Sequence, residues 1–309
     1  MTDLTFWVES PHVFVCDGLR LIGVSCVPKR IKPTSTGVLF IIGGPQYRAG
    51  THRQITLLAR QFASAGIASF RFDYRGMGDS EGEMRSFEFI ETDISSAIKQ
   101  FISQVTTVKT IALWGLCDAA SAALCYAYKD GRVKQLILLN PWVHDNYTEA
   151  LARLRRYYPA RLFARDFWYK TVRLQLNISN IYHDLLRFIQ QFKPFWMETR
   201  IINTADFISQ MLMGLEQFNG KILVILSHSD DSTVAEFLAL LATNHRWLQA
   251  IQRGNVTCYQ LESANHNFSR QEWRENIAIK IIDWLVENNN ADIYKNSAQL
   301  LVMQQHEQT

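Results

Sequence analysis

Ile111-Ala-Leu-Trp-Gly-Leu-Cys-Asp-Ala-Ala-Ser121 is the stretch that decides the fold. Its apolar first half predicts a buried strand, and its alanine-rich continuation predicts a helix. Cys117 lies where the strand turns into the helix, with Gly115 two residues before it and Ala119 two residues after it. Both neighbours must be small, because a larger side chain in such a tight turn would collide with the adjoining strand or helix. The pattern indicates a nucleophile at a strained turn, and a buried cysteine on a core strand is the alternative.

Composition and cysteine usage limit the class of protein. The chain has 309 residues, of which 48% are hydrophobic and 20% charged, and its net charge is +3. That charge is too small to indicate nucleic-acid binding, and no basic stripe interleaves with aromatic residues. Five cysteines without a C-x-x-C pair argue against a disulfide framework and against a zinc site. Without a signal-peptide pattern or an apolar run of about 18 residues, we expect a cytoplasmic protein with no membrane span.

Short apolar strands alternate with amphipathic helices along most of the chain. Asp17-Gly18 predicts the turn of a hairpin within residues 12–27. Continuous apolar runs separated by helices are typical of a parallel sheet covered on both faces, whose ligand lies beyond the carboxyl ends of the strands. The predicted strands are 37–42, 67–72, 110–114, 135–140, 221–227 and 256–261, and the predicted helices lie near 51–65, 86–104, 118–129, 233–251 and 271–288.

The alternation stops at residues 142–219, which have helical periodicity and many aromatic residues. We predict that this segment is a helical cap over the strand ends, inserted into an α/β core formed by residues 1–141 and 220–288. Residues 289–309 are polar and are expected to form a peripheral tail. Arg155 and Arg156 in the cap are candidates for binding an anionic part of the substrate. The alternative is that these two arginines only solvate the outer face of the cap.

Two further residues complete a set for acyl transfer, which requires a base and an orienting carboxylate besides the nucleophile. The strand 221–227 is followed by Asp230 and Asp231, and the spacing favours Asp231 as the acid, with Asp230 as the alternative. His266 follows the strand 256–261 and precedes the last helix, which is the position expected for the base. Nucleophile, acid and histidine therefore occur along the chain in the order Cys117, Asp231, His266.

Backbone N–H groups are the expected oxyanion donors, because they stabilise the negative charge that develops on a carbonyl oxygen. One belongs to Asp118, directly after the nucleophile. The other lies in the loop after the first parallel strand, where Pro45 has no N–H, so Gly44 is the better donor and Gln46 the alternative. Taken alone, Gly-Gly-Pro would be equally consistent with an ordinary turn.

The segment Phe72-Asp-Tyr-Arg-Gly-Met-Gly-Asp-Ser80 resembles the D-x-R-G-x-G-x-S loop of α/β-hydrolases. We expect Asp73 and Arg75 to have a structural role, bracing loops near the site. Together with the turn at Cys117, the Gly-Gly loop, the acid and the histidine, this segment makes residues 20–288 resemble α/β-hydrolases of the serine aminopeptidase-like type. The resemblance implies an α/β-hydrolase fold: a mostly parallel central sheet with helices on both faces and a helical cap insertion.

A closer resemblance is to the exosortase A system-associated hydrolase 1 family. It rests on the segments 43–50, 70–82, 115–121 and 231–237, which read GGPQYRAG, FRFDYRGMGDSEG, GLCDAAS and DSTVAEF. That family implies a bacterial enzyme encoded near genes for exopolysaccharide and protein sorting, and it assigns no substrate. His228 departs from the family pattern, because a glycine is typical at its position in the acid loop.

A cysteine nucleophile favours particular reactions. An adjacent imidazolium and a helix N-terminus both lower the pKa of a thiol, whereas the neighbouring Asp118 carboxylate raises the pKa of Cys117. A thiolate attacks esters and thioesters readily, but an amide expels its amine less easily than the thiol that attacked it. We therefore predict a hydrolase that acts on a small-molecule ester or thioester through an acyl-Cys117 intermediate, without a metal ion or other cofactor. The alternatives are an acyltransferase that uses the same intermediate and a non-catalytic binding protein that keeps the fold.

Overall fold

The strands and helices of the core follow the predicted alternation. A computed structural model of the chain describes residues 6–29, 35–44, 46–143, 204–228 and 231–287. The strands are β1 Trp7–Cys16, β2 Leu19–Pro28, β3 Thr36–Phe40, β4 Ser69–Asp73, β5 Thr110–Leu116, β6 Val133–Leu139, β7 Lys221–Leu226 and β8 Val256–Gln260. The helices are α1 Gln54–Ser64, α2 Glu91–Gln104, α3 Asp118–Ala127, α4 Thr204–Gln217, α5 Ser232–Thr243, α6 His245–Ile251 and α7 Gln271–Glu287, with short 3-10 helices at Thr51–Arg53 and Phe87–Phe89.

The eight strands form one sheet in the order β1-β2-β4-β3-β5-β6-β7-β8. The pairs β1–β2 and β2–β4 are antiparallel, and all pairs from β4 to β8 are parallel. The hairpin between β1 and β2 turns at Asp17 and Gly18, both with positive φ, as the sequence predicts. The expected α/β-hydrolase fold with a mostly parallel sheet is confirmed.

Helices pack on both faces of the sheet, and β3 shows why. Its alternate residues point to opposite faces. The ring of Phe40 stacks on Phe62 of α1 at a centroid distance of 5.8 Å. On the other face Gly37 lies against Phe101 of α2, where a Cβ on the glycine would come within 2.7 Å of the ring. The strand is therefore apolar from Gly37 to Phe40, because neither of its faces is exposed to water there.

The parallel strands bring the predicted site loops to one edge of the sheet. The loop that begins at Gly43 follows β3, Cys117 follows β5, Asp231 follows β7 and His266 follows β8. Parallel strands have their carboxyl ends on the same side, so these loops share that side. The expectation that they lie along one edge is confirmed by the strand directions.

The predicted single helix at 233–251 is wrong, because the chain forms two helices there. Asn244 has extended backbone angles, and its side chain accepts hydrogen bonds from the N–H groups of Arg246 and Trp247. Asparagine is a preferred N-cap residue because its short carbonyl side chain reaches these first N–H groups. The chain consequently ends α5 at Thr243 and begins α6 at His245.

The chain divides into two compact units, Met1–Val143 with Ser209–Thr309, and His144–Ile208. The expected cap at 142–219 is described only at 142–143 and 204–219, where α4 is helical. The expected tail at 289–309 lies outside the described residues, as do Arg155, Arg156 and Asp230. No helix among the described residues is long and apolar enough to cross a membrane.

Candidate active site

Cys117 sits in a strained turn between β5 and α3. Its backbone angles are φ 62° and ψ −123°, a conformation that residues with a side chain seldom adopt and that is concentrated at functional sites. A Cβ on Gly115 would lie 2.4 Å from the carbonyl carbon of Ala119, so the expected steric need for glycine there is confirmed. Cys117 is partly exposed, and the four other cysteines are buried. The turn therefore presents one thiol at the edge of the sheet.

His266 and Asp231 are hydrogen-bonded to each other. Nδ1 of His266 lies 2.9 Å from Oδ2 of Asp231. The other carboxylate oxygen of Asp231 accepts from the N–H of Thr233 at 2.9 Å, which caps α5. Burial opposes ionisation of Asp231, but the hydrogen bond and charge of His266 and the N–H groups of α5 outweigh it and lower its pKa. The pair is thus an ionised carboxylate that orients an imidazole through its Nδ1 atom.

Asn140, which sequence reasoning missed, ties the loops of this pair together. It is fully buried after β6 with φ 44°. Its amide nitrogen donates to the carbonyl of His266 at 3.0 Å and to the hydroxyl of Ser227 at 3.1 Å. Its amide oxygen accepts from the N–H of Ser227 at 2.8 Å. The sequence signal was an asparagine directly after an apolar strand, because asparagine adopts the left-handed backbone conformation more readily than most residues.

Two of the expected oxyanion donors, the N–H groups of Gly44 and Gln46, already donate hydrogen bonds within the protein. The N–H of Gly44 donates to Oδ2 of Asp118 at 2.8 Å. The N–H of Gln46 donates to the carbonyl of Gly44 at 2.8 Å. Oδ1 of Asp118 accepts from the N–H of Ala119 at 2.9 Å. The Asp118 carboxyl therefore lies between the Gly-Gly loop and the start of α3, a placement that the sequence did not predict.

Asp73 and Arg75 brace the surrounding loops, as expected. Asp73 accepts from the backbone N–H of Arg48 at 2.6 Å and pairs with its guanidinium, so it anchors the loop that carries Gly44. Burial raises the pKa of Asp73 despite these donors. Arg75 pairs with buried Asp93 and with Asp17 in the β1–β2 turn. Both residues hold loops in position and neither bonds to the acid–base pair.

Two cavities border the described part of the site. One of about 340 Å³ lies against the acid–base pair and is lined by His228, Asp231, His266, Trp273 and residues 262–265. A larger one of about 540 Å³ is lined by α1 and α7 and by the strand residues Trp114, Leu116 and Leu139. No group of three or more His, Cys, Asp or Glu suited to a metal ion occurs within the described residues.

Solved structures share this fold at low sequence identity. An esterase of Pyrococcus furiosus, Pf2001, aligns with a TM-score of 0.63 and 14% identity over 91% of each chain. A dienelactone hydrolase of Anabaena variabilis aligns with a TM-score of 0.56 and 13% identity, covering 91% of this chain and 98% of that protein. These likenesses establish the fold and carry no information about the substrate.

Sequence relatives match parts of the chain. The quorum-quenching protein AidA of Acinetobacter baumannii is 26% identical over 138 residues, which are 42% of this chain and 44% of that protein. The thiohydrolase apmlB of Arthrinium phaeospermum is 34% identical over 110 residues, which are 32% of this chain and 34% of that protein. The chain thus matches less than half the length of each relative. The model of the hydrolase family described as serine aminopeptidase, S33, matches residues 36–236, a span from β3 into α5 that includes the turn at Cys117, and the chain belongs to this family.

Proposed function

We propose that the chain hydrolyses an ester or thioester through an acyl-enzyme intermediate on Cys117, with His266 as the base and Asp231 as the orienting acid. The observation that carries the proposal is the 2.9 Å hydrogen bond between His266 Nδ1 and Asp231 Oδ2, at the same sheet edge as the strained cysteine. An imidazole whose Nδ1 is held by a carboxylate presents Nε2 as a base, and this arrangement activates a nucleophile.

The reaction proceeds in two halves. Cys117 Sγ bonds to the carbonyl carbon while His266 Nε2 takes the thiol proton, and the π electrons of the carbonyl move to its oxygen. Collapse restores the carbonyl and breaks the bond to the leaving alcohol or thiol, which receives the proton from His266. Water then attacks the acyl-Cys117, gives a proton to His266 and releases the acid, and the thiol regains a proton. Asp231 stabilises the imidazolium that forms in each half.

The backbone N–H groups of Asp118 and Gly44 are the proposed oxyanion donors, with Gln46 as the alternative to Gly44. In the described conformation Gly44 donates to Asp118 and Gln46 donates to Gly44. An oxyanion donor has to lie 2.7–3.1 Å from the oxygen that becomes charged. When the substrate carbonyl enters, either one of the existing hydrogen bonds therefore has to yield or be shared, or another donor has to take the place of Gly44.

An ester or thioester is favoured over an amide by the chemistry of the thiol, which leaves more easily than an amine from a tetrahedral intermediate. The name of one sequence relative, a thiohydrolase, agrees with this choice. Serine aminopeptidase is the description of the family, but the cysteine at position 117 argues against peptide hydrolysis in this member.

Finer proposals rest on the sequence. We propose that residues 142–219 form a cap and that Arg155 and Arg156 bind an anionic leaving group at its edge; the alternative is that the two arginines only solvate its outer face. Within its family we propose that the chain belongs with the exosortase A system-associated hydrolases, bacterial enzymes encoded near genes for exopolysaccharide and protein sorting. The cysteine usage of the sequence, five cysteines without a C-x-x-C pair, supports a reducing compartment and hence the cytoplasm.

Intact-mass spectrometry during incubation with acyl thioesters and aryl esters tests the proposal. We expect an acyl adduct on Cys117 that decays by hydrolysis, and no adduct in Cys117→Ala. The matched control is Cys125→Ala, which removes a buried thiol from α3 and should leave the adduct unchanged. An adduct that persists until an alcohol or amine is added indicates an acyltransferase instead. Turnover that is equal in Cys117→Ala and the wild type contradicts the proposal, and no reaction with any substrate favours a binding protein.

A further inference from the structure

The Asp118 carboxyl occupies the place where the substrate oxygen has to be received. Its Oδ2 takes the N–H of Gly44 at 2.8 Å. The N–H of Asp118 itself also faces this carboxyl. The two backbone groups proposed as oxyanion donors thus converge on one side chain of the protein. A substrate carbonyl oxygen that approaches these two N–H groups therefore contacts the Asp118 carboxyl first.

This carboxyl is built into its position. Oδ1 accepts from the N–H of Ala119 at 2.9 Å. A Cβ on Gly43 would lie 2.0 Å from Oδ1, so the glycine leaves the space that the carboxyl fills. Rotation away from the loop would break the hydrogen bonds to Gly44 and Ala119 and leave both N–H groups without this acceptor. We infer that the carboxyl stays in place when the substrate binds.

If the Asp118 carboxyl remains in place, its ionised form hinders the reaction and its protonated form assists it. When ionised, it only accepts hydrogen bonds, and its charge repels the negative charge that develops on the substrate oxygen. When protonated, it keeps acceptor capacity for Gly44 and Ala119 and gains one O–H donor. Since the Gly44 N–H is already used, this O–H replaces it as a donor to the substrate.

We propose that Asp118 is a catalytic residue whose protonated carboxyl donates a hydrogen bond to the substrate carbonyl oxygen, and whose ionised form blocks the oxyanion site. The inference rests on the proposed function. The proton stays on Asp118 throughout, because the negative charge returns from the oxygen to the departing group when the intermediate collapses. Asp118 is therefore required for both halves of the reaction but consumed in neither.

The surroundings of the carboxyl support a protonated state. Burial raises its pKa, and this effect exceeds the opposing effects of the N–H groups of Gly44, Ala119 and Asp118 and of the charge on His266. The ionisable groups nearest to it are His266 from the loop after β8, Cys117 in the same turn, and Tyr74 after β4, whose hydroxyl lies 3.4 Å from the Gly44 carbonyl. Burial raises the pKa of Tyr74, so Tyr74 adds no competing negative charge.

The test is the rate of acylation of the full chain by p-nitrophenyl acetate as a function of pH, for the wild type, Asp118→Asn and Asp118→Ala. We expect the wild-type rate to fall as the pH rises through the pKa of Asp118. Asp118→Asn keeps a permanent N–H donor, so it should lose this decline and retain more activity than Asp118→Ala. Asp118→Ala should lose roughly 10²–10³-fold in kcat with little change in KM, as for removal of one oxyanion donor. Glu272→Gln, which alters an exposed carboxylate in the first turn of α7, is the control and should match the wild type.

Two results would overturn the inference. Asp118→Ala with acylation as fast as or faster than the wild type would make the carboxyl only an obstruction. An unchanged decline with pH in Asp118→Asn would assign that decline to another group. If Asp118→Ala fails to fold, the pH profile of Asp118→Asn alone decides. Failure of the proposed function is separate, because it appears as undiminished acylation in Cys117→Ala, whatever the Asp118 variants do.

Discussion

At the scale of single residues, Cys117 differs from the other cysteines in both exposure and backbone conformation. It is partly exposed at the N-terminus of α3, whereas Cys16, Cys26, Cys125 and Cys258 are buried. Burial raises the pKa of Cys26, Cys125 and Cys258 to about 12, so these thiols remain protonated at neutral pH. Reactivity of a cysteine follows thiolate character and access. We therefore expect the Cys117 thiol to react selectively with thiol reagents.

Iodoacetamide should modify Cys117 much faster than the other cysteines of the native protein. The physical reason is the combination of access, a helix N-terminus and a nearby base. Competitive labelling followed by peptide mapping measures the individual rates. In denaturant the differences should vanish, because they come from the fold. Equal rates for Cys117 and any buried cysteine in the native protein would remove the argument for activation.

The acid and the base should differ in how much activity they contribute. His266→Ala should lower kcat by about 10²–10⁴-fold, the usual effect of losing a general base. Asp231→Asn should lower it less, because His266 keeps a neutral partner at Nδ1 but loses stabilisation of the imidazolium. Steady-state kinetics with an aryl ester measures both. Asp230→Asn is the matched control, and a larger loss in Asp230→Asn than in Asp231→Asn would mean that the acid was assigned one residue too late.

At the scale of elements, short loops and close approaches of the backbone hold the site. The turn from β5 into α3 leaves no room for a side chain at Gly115. The connection from α3 to β6 depends on Asp130, whose carboxylate accepts from the Arg132 backbone N–H and Nε, both at 2.9 Å. From each of these two contacts we predict an effect on the stability of the fold, independent of catalysis.

Gly115→Ala should destabilise the protein by about 1–3 kcal/mol, the usual cost of forcing extra volume into a packed region. Its Cβ would meet the carbonyl group of Ala119 at 2.4 Å, and this is backbone that cannot rotate away. Urea unfolding measures the free energy. Gly131→Ala is the control, since a Cβ there meets nothing within 4 Å. Equal stability of the two variants would show that the turn relaxes without cost.

Asp130→Asn should lower the free energy of unfolding at pH 7 by about 1 kcal/mol, a value reduced for partial exposure of the ion pair. Burial alone would raise the pKa of Asp130, but hydrogen bonds from Arg132 and Tyr126 lower it from 3.8 to about 2. A lowered pKa stabilises the fold above the unfolded value, and this contribution disappears as the pH falls from 3.8 to 2. Urea unfolding across that range should show the wild type and variant converging. A constant difference, or one that also appears in the exposed control Asp283→Asn, would contradict this origin.

At the scale of the whole molecule, the sheet is what brings the site together. Residues 117, 231 and 266 are far apart in sequence but follow strands that run parallel. Asn140 makes this arrangement rigid, because its side chain joins the ends of β6 and β7 to the loop of His266. Asn255 has a comparable role at the opposite edge, where its amide donates to the carbonyls of Phe218 and Gly220.

Asn140→Ala should reduce both stability and kcat, whereas Asn255→Ala should reduce stability alone. Asn140→Ala leaves buried polar groups without partners, which costs about 1–3 kcal/mol, and Asn255→Ala leaves half-buried carbonyls without their donor. Only the first loosens the loop that carries His266, so its loss of kcat should exceed its change in KM. Thermal unfolding and steady-state kinetics on the two variants make the comparison. Equal kcat values in the two variants would limit Asn140 to a structural role.

The sequence by itself determined the class of fold and the order of the candidate residues. Alternating apolar runs predict a parallel sheet because both faces of such a strand are buried, and Gly115 with Cys117 predicts the tight turn because only a glycine fits there. The spacing also favoured Asp231 over Asp230, and the structure places Asp231 beside His266. These inferences depend on local sterics and periodicity, which a single sequence displays.

Only the tertiary structure decided which groups meet across the sheet edge. The break between α5 and α6 is an exception, because it depends on the local side-chain cap of Asn244, which competes with an apolar pattern that continues into α6. Asn140 and Ser227 are ordinary polar residues in the sequence, and their role arises from contacts between loops 87 residues apart. The Asp118 carboxyl bonds to Gly44 across 74 residues, because a side chain at the first position of α3 points back to the loop after β3. Such contacts are set by the packing of neighbouring strands, which no local pattern encodes.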